Sequence, residues 1–225
     1  MKLIINTIII LLFCLCTNSC KKSGVEDIEG NWYRAVQIDK LVWMTENLKT
    51  TKFNDGSEIP LITDYDEWAK LTTPAYCLFN NEKSNKDKYG VLYNWYAISS
   101  NKLCPKGWHV ATDDEWLDLV YAYGGLEDAG TRLKEAGYEH WKTSGIIATN
   151  ESHFTALPGG YRSYNGTFNY LGVSGYWWTS TENARNTVYF YGLRYKSPNI
   201  YRNFAEKNNG FCVRCVLDQK LNPKK

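Results

Sequence analysis

Two cysteines three residues apart, Cys212 and Cys215, are the first residues whose spacing suggests chemistry. A C-x-x-C pair can exchange electrons or hold half of a zinc site. Here the pair sits in the apolar run 211–217 (FCVRCVL), which reads as a strand. Residues i and i+3 of a strand point to opposite faces, so each thiol faces a distant partner rather than its neighbour. There is no second C-x-x-C, and His109, His140 and His153 stand alone, so no metal site is expected. No loop has the ligand spacing that calcium demands. The carboxylates offer a second chemistry. Asp113, Asp114 and Glu115 cluster, as do Asp64, Asp66 and Glu67, while Glu182 stands apart. Glycan cleavage would need two carboxyls about 5–9.5 Å apart across one cleft. No Ser/His/Asp arrangement, phosphate-cradling glycine loop or helical histidine pair accompanies them. The sequence therefore assigns no catalytic residue and no cofactor.

The N-terminus carries an address. Lys2 precedes an apolar run over residues 3–15, then Thr17-Asn18-Ser19 and Cys20. This reads as a secretory signal, too short and wrongly flanked to span a membrane. A small residue before a cysteine resembles a bacterial lipoprotein signal, with residues 1–19 removed and Cys20 lipidated. Residues 20–30 would be a tether. Acyl chains contribute about 0.8 kcal/mol per buried CH₂, so several chains would hold the protein on a membrane. The expected location is the cell envelope, on the periplasmic or surface face of an outer membrane. A formal charge of +2 and the lack of a basic block speak against nucleic acid. An exported body with an even count of cysteines, Cys77, Cys104, Cys212 and Cys215, argues for disulfides.

Several elements must position these groups. Residues 33–44 (YRAVQIDKLVWM) read as a hairpin around Asp39-Lys40. Asp64 can cap a short helix that puts Trp68 and Leu71 on one face. Residues 75–79 are strand-like, and residues 80–88 (NNEKSNKDK) read as a charged loop. Residues 92–98 (LYNWYAI) are apolar on both sides, so strand and helix remain open. Thr112 to Glu115 has the form of a capping box, followed by Trp116, Leu119, Val120 and Tyr123 at helical spacing and a Gly124-Gly125 stop. That box accounts for Glu115. A second helix is expected over 129–136, and strands with glycine turns from about 153 to 217. Residues 218–225 read as a polar tail. Trp43, Trp95, Trp108, Trp116 and one of Trp177 and Trp178 are expected in the core. His109, between Trp108 and Val110, reads as a core or boundary residue.

Six sequence blocks occur in order: 42–51 (VWMTENLKTT), 89–97 (YGVLYNWYA), 103–110 (LCPKGWHV) with Glu115-Trp116, 156–162 (ALPGGYR), 175–182 (GYWWTSTE) and 210–216 (GFCVRCV). Together they resemble the Fibrobacter succinogenes major paralogous domain of exported Bacteroidetes-type proteins, over residues 31–217. The resemblance implies an α+β fold: a single irregular C-type-lectin-like domain with a few helices, short twisted antiparallel strands and long loops. The related formylglycine-generating enzymes use a cysteine pair ahead of the terminal strand. Residues 191–201 have no cysteine, so that activity is rejected. Ile38-Asp39-Lys40-Leu41 and Cys212 depart from the usual pattern. The resemblance implies a Cys104–Cys215 disulfide, with Cys77–Cys212 as its companion.

The lectin-related fold, the export signal and many tyrosines on glycine-rich turns point to a non-enzymatic binding module for a glycan or protein ligand. Tyrosine offers a rigid face at small entropy cost. The candidate contact residues are Tyr161, Arg162, Tyr164, Tyr170, Tyr176, Arg194 and Tyr201. An envelope-polymer enzyme and a purely structural component are the alternatives.

Overall fold

A computed structural model describes residues 23–219; the expected signal and Cys20 lie outside them. Twelve strands and five α-helices follow in chain order. They are β1 (Gly24–Glu26), β2 (Trp32–Ile38), β3 (Leu41–Met44), α1 (Tyr65–Ala69), β4 (Tyr76–Cys77), α2 (Ser84–Tyr89), β5 (Leu92–Tyr93) and α3 (Trp95–Ile98). Then come β6 (Trp108–Val110), α4 (Asp113–Ala122), α5 (Ala129–Leu133), β7 (Gly159–Arg162), β8 (Phe168–Leu171), β9 (Ser174–Ala184), β10 (Thr187–Arg194), β11 (Ile200–Glu206) and β12 (Cys215–Leu217).

One sheet has the order β1-β2-β3-β12-β6, the other β11-β10-β9-β7-β8, and β4-β5 forms a small third. The α+β, C-type-lectin-like expectation is thereby corrected. Strand accounts for 34% of the described residues against 17% helix, and two curled sheets make a mainly β, sandwich-like fold. The reason lies in helix length. Only α4 exceeds two turns, and it is the one helix with a full capping box: Thr112 accepts from the Glu115 N–H, and the Glu115 carboxylate accepts from the Thr112 N–H at 2.8 Å.

The second sheet lies between two apolar layers. Trp177 faces Trp43, Trp116, Phe154 and Tyr191, whereas Trp178 faces Tyr93, Trp95, Phe190 and Phe211. Adjacent residues of β9 thus fill opposite layers, and both tryptophans are wholly buried rather than one. Of the other expected core tryptophans, Trp43, Trp95 and Trp116 are buried and Trp108 is half-buried. Trp116 stacks on Tyr191 at 5.0 Å and 12°, which ties α4 to the sheet.

The segment 210–217 joins the two sheets. Gly210 bridges Arg162, Cys212 bridges Trp177, and Cys215–Leu217 then pairs with β6. Cys215 is bonded to Cys104, 111 residues away. The companion bond is absent. Cys77 and Cys212 are free thiols, and both are buried. Cys212 Sγ lies 3.7 Å from the Tyr89 carbonyl, in the layer opposite to Cys215. The opposite-face reading of the C-x-x-C pair holds, while the Cys77–Cys212 pairing does not.

Four local expectations are revised. Residues 24–30, expected as tether, belong to the fold: β1 pairs with β2, and buried Asp27 accepts from the Tyr33 hydroxyl at 2.6 Å. The charged loop 80–88 contains a 3-10 turn at Phe79–Asn81 and α2, held where Asn85 donates to the Phe79 carbonyl. Residues 92–98 are both strand and helix, because Asn94 stops β5 and caps α3 by accepting from the Ala97 N–H. Helix α5 ends at Leu133, since Lys134 turns inward and donates to the carbonyls of Arg194 and Ser197.

Candidate functional site

The register of the second sheet aligns tyrosines from three strands. Tyr201 of β11 pairs with Gly192 of β10, which pairs with Tyr176 of β9. Gly160 of β7 pairs with Gly175, which brings Tyr161 beside Tyr176. The ring centroids of Tyr161 and Tyr176 are 4.8 Å apart, and those of Tyr176 and Tyr201 are 6.3 Å apart. Tyr170 of β8 extends the row by stacking on Tyr161 at 6.0 Å and 29°.

Two backbone features make this row. A Cβ on Gly192 would lie 2.3 Å from the Tyr201 ring, so only glycine lets that ring cross the strand toward Tyr176. Tyr170 has φ +63°, a left-handed conformation costly for a bulky residue. Such conformations cost about 1–3 kcal/mol and concentrate where function or tight packing demands them. At Tyr170 the reward in packing is small, because 55% of the residue remains exposed.

Five of the seven expected contact residues meet here: Tyr161, Tyr170, Tyr176, Tyr201 and Arg194. The Arg194 guanidinium lies over the Tyr201 ring, 4.9 Å from its centroid. Tyr164 is exposed at the β7–β8 turn. It stands near enough to join Tyr176 and Tyr170 in raising the Tyr161 phenol above its usual pKa, an effect led by burial. Tyr176 is buried and forms the floor of the row rather than a contact surface. The Tyr201 hydroxyl is buried without a hydrogen-bond partner among the described residues, and burial lifts its pKa far above the phenol range.

Arg162 is not a contact residue. It is wholly buried and donates to the carbonyls of Gly166, Ile62, Thr63 and Asp64 at 2.6–3.0 Å. Its guanidinium lies 4.5 Å from the Trp68 ring and 4.8 Å from Phe168. Arg214 plays the same part elsewhere, donating to Asn47 Oδ1 and to the carbonyls of Met44, Phe154 and Thr155. Burial lowers the Arg214 pKa to about 9.

Four of the candidate carboxylates, Asp64, Asp113, Glu115 and Glu182, are engaged elsewhere. Glu182 pairs with Lys207 at 2.8 Å, and Asp64 caps α1. Asp113 holds Arg202 through two bonds of 2.7 Å and accepts from the Tyr191 hydroxyl. His109 lies between Glu115 (2.8 Å) and Asp218 (2.7 Å), so both ring nitrogens are occupied. The bond to Glu115 leads in raising its pKa to about 9, aided by Asp218 and opposed by burial. It lines a small cleft of about 70 Å³ beside Cys104 and Ser180. A larger cleft of about 530 Å³ lies at Trp32, Arg34 and Glu46. A third, of about 220 Å³, shares Arg34 and Glu46 and reaches Tyr89. None of the three is lined by a residue of the tyrosine row or by Glu182, Asp64, Asp66 or Glu67.

Among the described residues one group has metal-ligand character: Glu135, Glu139 and His140, with ligand atoms within 4.8 Å of one another. His140 Nδ1 already meets both Glu135 oxygens, at 2.8 and 3.0 Å, and Glu139 is exposed. The hydrogen bonds between His140 and Glu135 account for this geometry.

The family model of the Fibrobacter succinogenes major domain matches residues 36–217. The chain belongs to that family. The match takes in the strands of the row, β7 to β11, and the Cys104–Cys215 bond. No curated protein and no solved structure matches this family member.

The residue signal that sequence reading missed is Gly192. A glycine in the interior of an apolar strand run (TVYFYGLR) marks a close approach. The approaching group, Tyr201, is identified only by the register.

Proposed function

We propose that this protein is an exported, lipid-anchored binding module of the bacterial envelope, and that its tyrosine row is a platform for a glycan chain. The observation that carries the reading is the convergence of Tyr161, Tyr170, Tyr201 and Arg194 on one sheet face over buried Tyr176. Sugar rings present apolar C–H faces flanked by hydroxyls. Tyr161 and Tyr170 meet both, with apolar rings and polar tips, while Tyr201 adds the face of its ring. Each ring is already held by its neighbours, so little side-chain entropy is lost on binding. None of the three clefts described above is lined by the row, and a succession of rings along a sheet suits an extended chain better than a small molecule enclosed in a pocket.

Anchoring rests on the sequence of residues 1–20. No helix among the described residues is long and apolar enough to cross a membrane. The first strand among the described residues begins at Gly24, four residues beyond Cys20. A lipid on Cys20 would therefore hold the domain close to an outer-membrane leaflet. Mass spectrometry of the mature N-terminus tests this directly; an unmodified Cys20 would remove the anchor.

The binding claim is tested on a polysaccharide array with wild type and the double variant Tyr161→Ala/Tyr170→Ala. Central tyrosines in interfaces often contribute about 1–2 kcal/mol each. The double variant should therefore bind at least tenfold more weakly. No glycan binding by wild type, or equal binding by the variant, would refute it. An enzymatic reading has less support, because Glu182 is paired with Lys207 and Asp64 is used as a helix cap.

A further inference from the structure

The geometry points to an acidic glycan as the ligand of the tyrosine row, with a uronate carboxylate received by Arg194; this rests on the platform reading above. Arg194 is two residues beyond Gly192 on β10, so it shares the face on which Tyr201, Tyr176 and Tyr161 meet. Its cross-strand partner is Ser174. The residue is exposed and has no salt bridge among the described residues. This sets it apart from Arg202, which is closed by Asp113, and from Arg162 and Arg214, which are spent on backbone carbonyls.

The Arg194 guanidinium is nevertheless held in place, 4.9 Å from the Tyr201 ring centroid. Contact with the ring restrains the guanidinium, and a restrained fork can take a carboxylate through two parallel bonds. No Asp or Glu occupies the row positions Tyr201, Gly192, Tyr176, Tyr161 or Asn169, so nothing in the row repels an anion. The row then combines ring faces for sugar rings with one preorganised cation at its β10–β11 end. An acidic peptide would use the cation and leave the successive ring faces without partners of matching shape.

The test compares polygalacturonate with its methyl-esterified form, which keeps the sugar chain and masks the carboxylates. Both are titrated against the mature chain in detergent micelles, with polyglutamate as a third probe. A bidentate, charge-assisted contact should favour free polygalacturonate by about tenfold or more. Arg194→Gln should abolish this preference and Arg194→Lys should keep part of it. Arg185→Gln, which removes an equal charge from the exposed β9–β10 turn, should leave it intact. The inference is overturned if the two galacturonans bind equally, if Arg185→Gln removes the preference as fully as Arg194→Gln, or if polyglutamate binds as well as polygalacturonate. Equal binding of both galacturonans that still depends on Tyr161 and Tyr170 would overturn the carboxylate inference alone and leave the platform standing. No glycan binding at all would remove both.

Discussion

Arg162→Ala should unfold the domain locally rather than remove a ligand contact. The side chain is wholly buried and reaches four carbonyls on two segments about 100 residues apart. Three acceptors, Ile62, Thr63 and Asp64, lie on half-exposed or exposed residues, where water can replace the lost donor. The fourth, at Gly166, belongs to a buried residue, and an orphaned buried acceptor costs about 1–3 kcal/mol. Loss of the cation from between Trp68 and Phe168 adds about 2 kcal/mol for a desolvated contact. Removing a buried charge recovers part of its desolvation, so the net loss should be about 3–4 kcal/mol. Urea denaturation followed by tryptophan fluorescence measures it. Arg162→Lys keeps the charge but not the fork, and should cost at least half as much. A change under about 1 kcal/mol for Arg162→Ala, together with a specific loss of ligand, would refute this assignment and restore Arg162 to the binding surface.

Other perturbations follow from the same geometry. Replacing both Cys104 and Cys215 by Ala opens a loop of 111 residues and should cost about 4–5 kcal/mol in the chain-entropy model, seen as a lower urea midpoint. Thiol titration of the unreduced, denatured body, residues 23–219, should count two free thiols, Cys77 and Cys212; none would mean that they are bonded. Burial holds both thiols up at about 12, so in the native state neither should react at neutral pH. His109 has a folded pKa raised to about 9 from an ordinary value near 6.5. Its contribution is therefore complete below about pH 6.5 and lost as pH rises through about 9. The ring is 37% exposed, so solvent screening limits this to about 1 kcal/mol. Stability of wild type relative to His109→Gln between pH 6 and 10 reads it, and a flat difference would contradict the clamp. Tyr201→Phe removes an unpartnered buried hydroxyl and should raise stability by up to about 1 kcal/mol, measured by thermal melting.

What could be read from the sequence was what neighbours along the chain decide. The Thr112–Glu115 box is a reciprocal bond between residues three apart, and the β2–β3 hairpin follows from alternation on either side of Asp39. Asn94 was visible too, but its double role as strand end and helix cap was hidden by apolar residues on both sides. The fold class is implied by resemblance alone, and the sheets overrule it: outside α4, the helices are six residues or fewer. Side-chain fate was least legible for Arg162, Tyr176 and Cys212. Arg162 sits next to an exposed turn in sequence, yet three of its four acceptors lie at residues 62–64, and its burial is a tertiary event. Tyr176 alternates correctly with Trp177 but meets Phe211, which the terminal segment brings in. Strand alternation fixes the face of Cys212, opposite to Cys215, but not its bonding, and the thiol is free.

The same distinction separates frame from site within the stretch 157–182. Its glycines and tryptophans serve the fold. Gly160 has φ +62°, and a Cβ there would lie 2.5 Å from the Asn169 carbonyl, so the β7–β8 approach requires glycine. Trp177 and Trp178 donate from buried indoles to Asn47 Oδ1 and to the Tyr93 carbonyl, locking β9 to both layers. A substitution at any of these positions should reduce stability and binding together. Tyr161 and Tyr170 behave differently. Their rings are half-exposed or exposed and lie at the β7–β8 side of the row, away from the buried indoles. Truncating Tyr170 should even relieve some backbone strain if the replacement is glycine, because φ +63° costs glycine nothing. Tyr170→Gly should therefore hold or gain thermal stability while losing affinity for the glycan. A ring kept only for packing would show the reverse, a lower melting temperature with affinity unchanged, and that result would turn the platform into part of the scaffold.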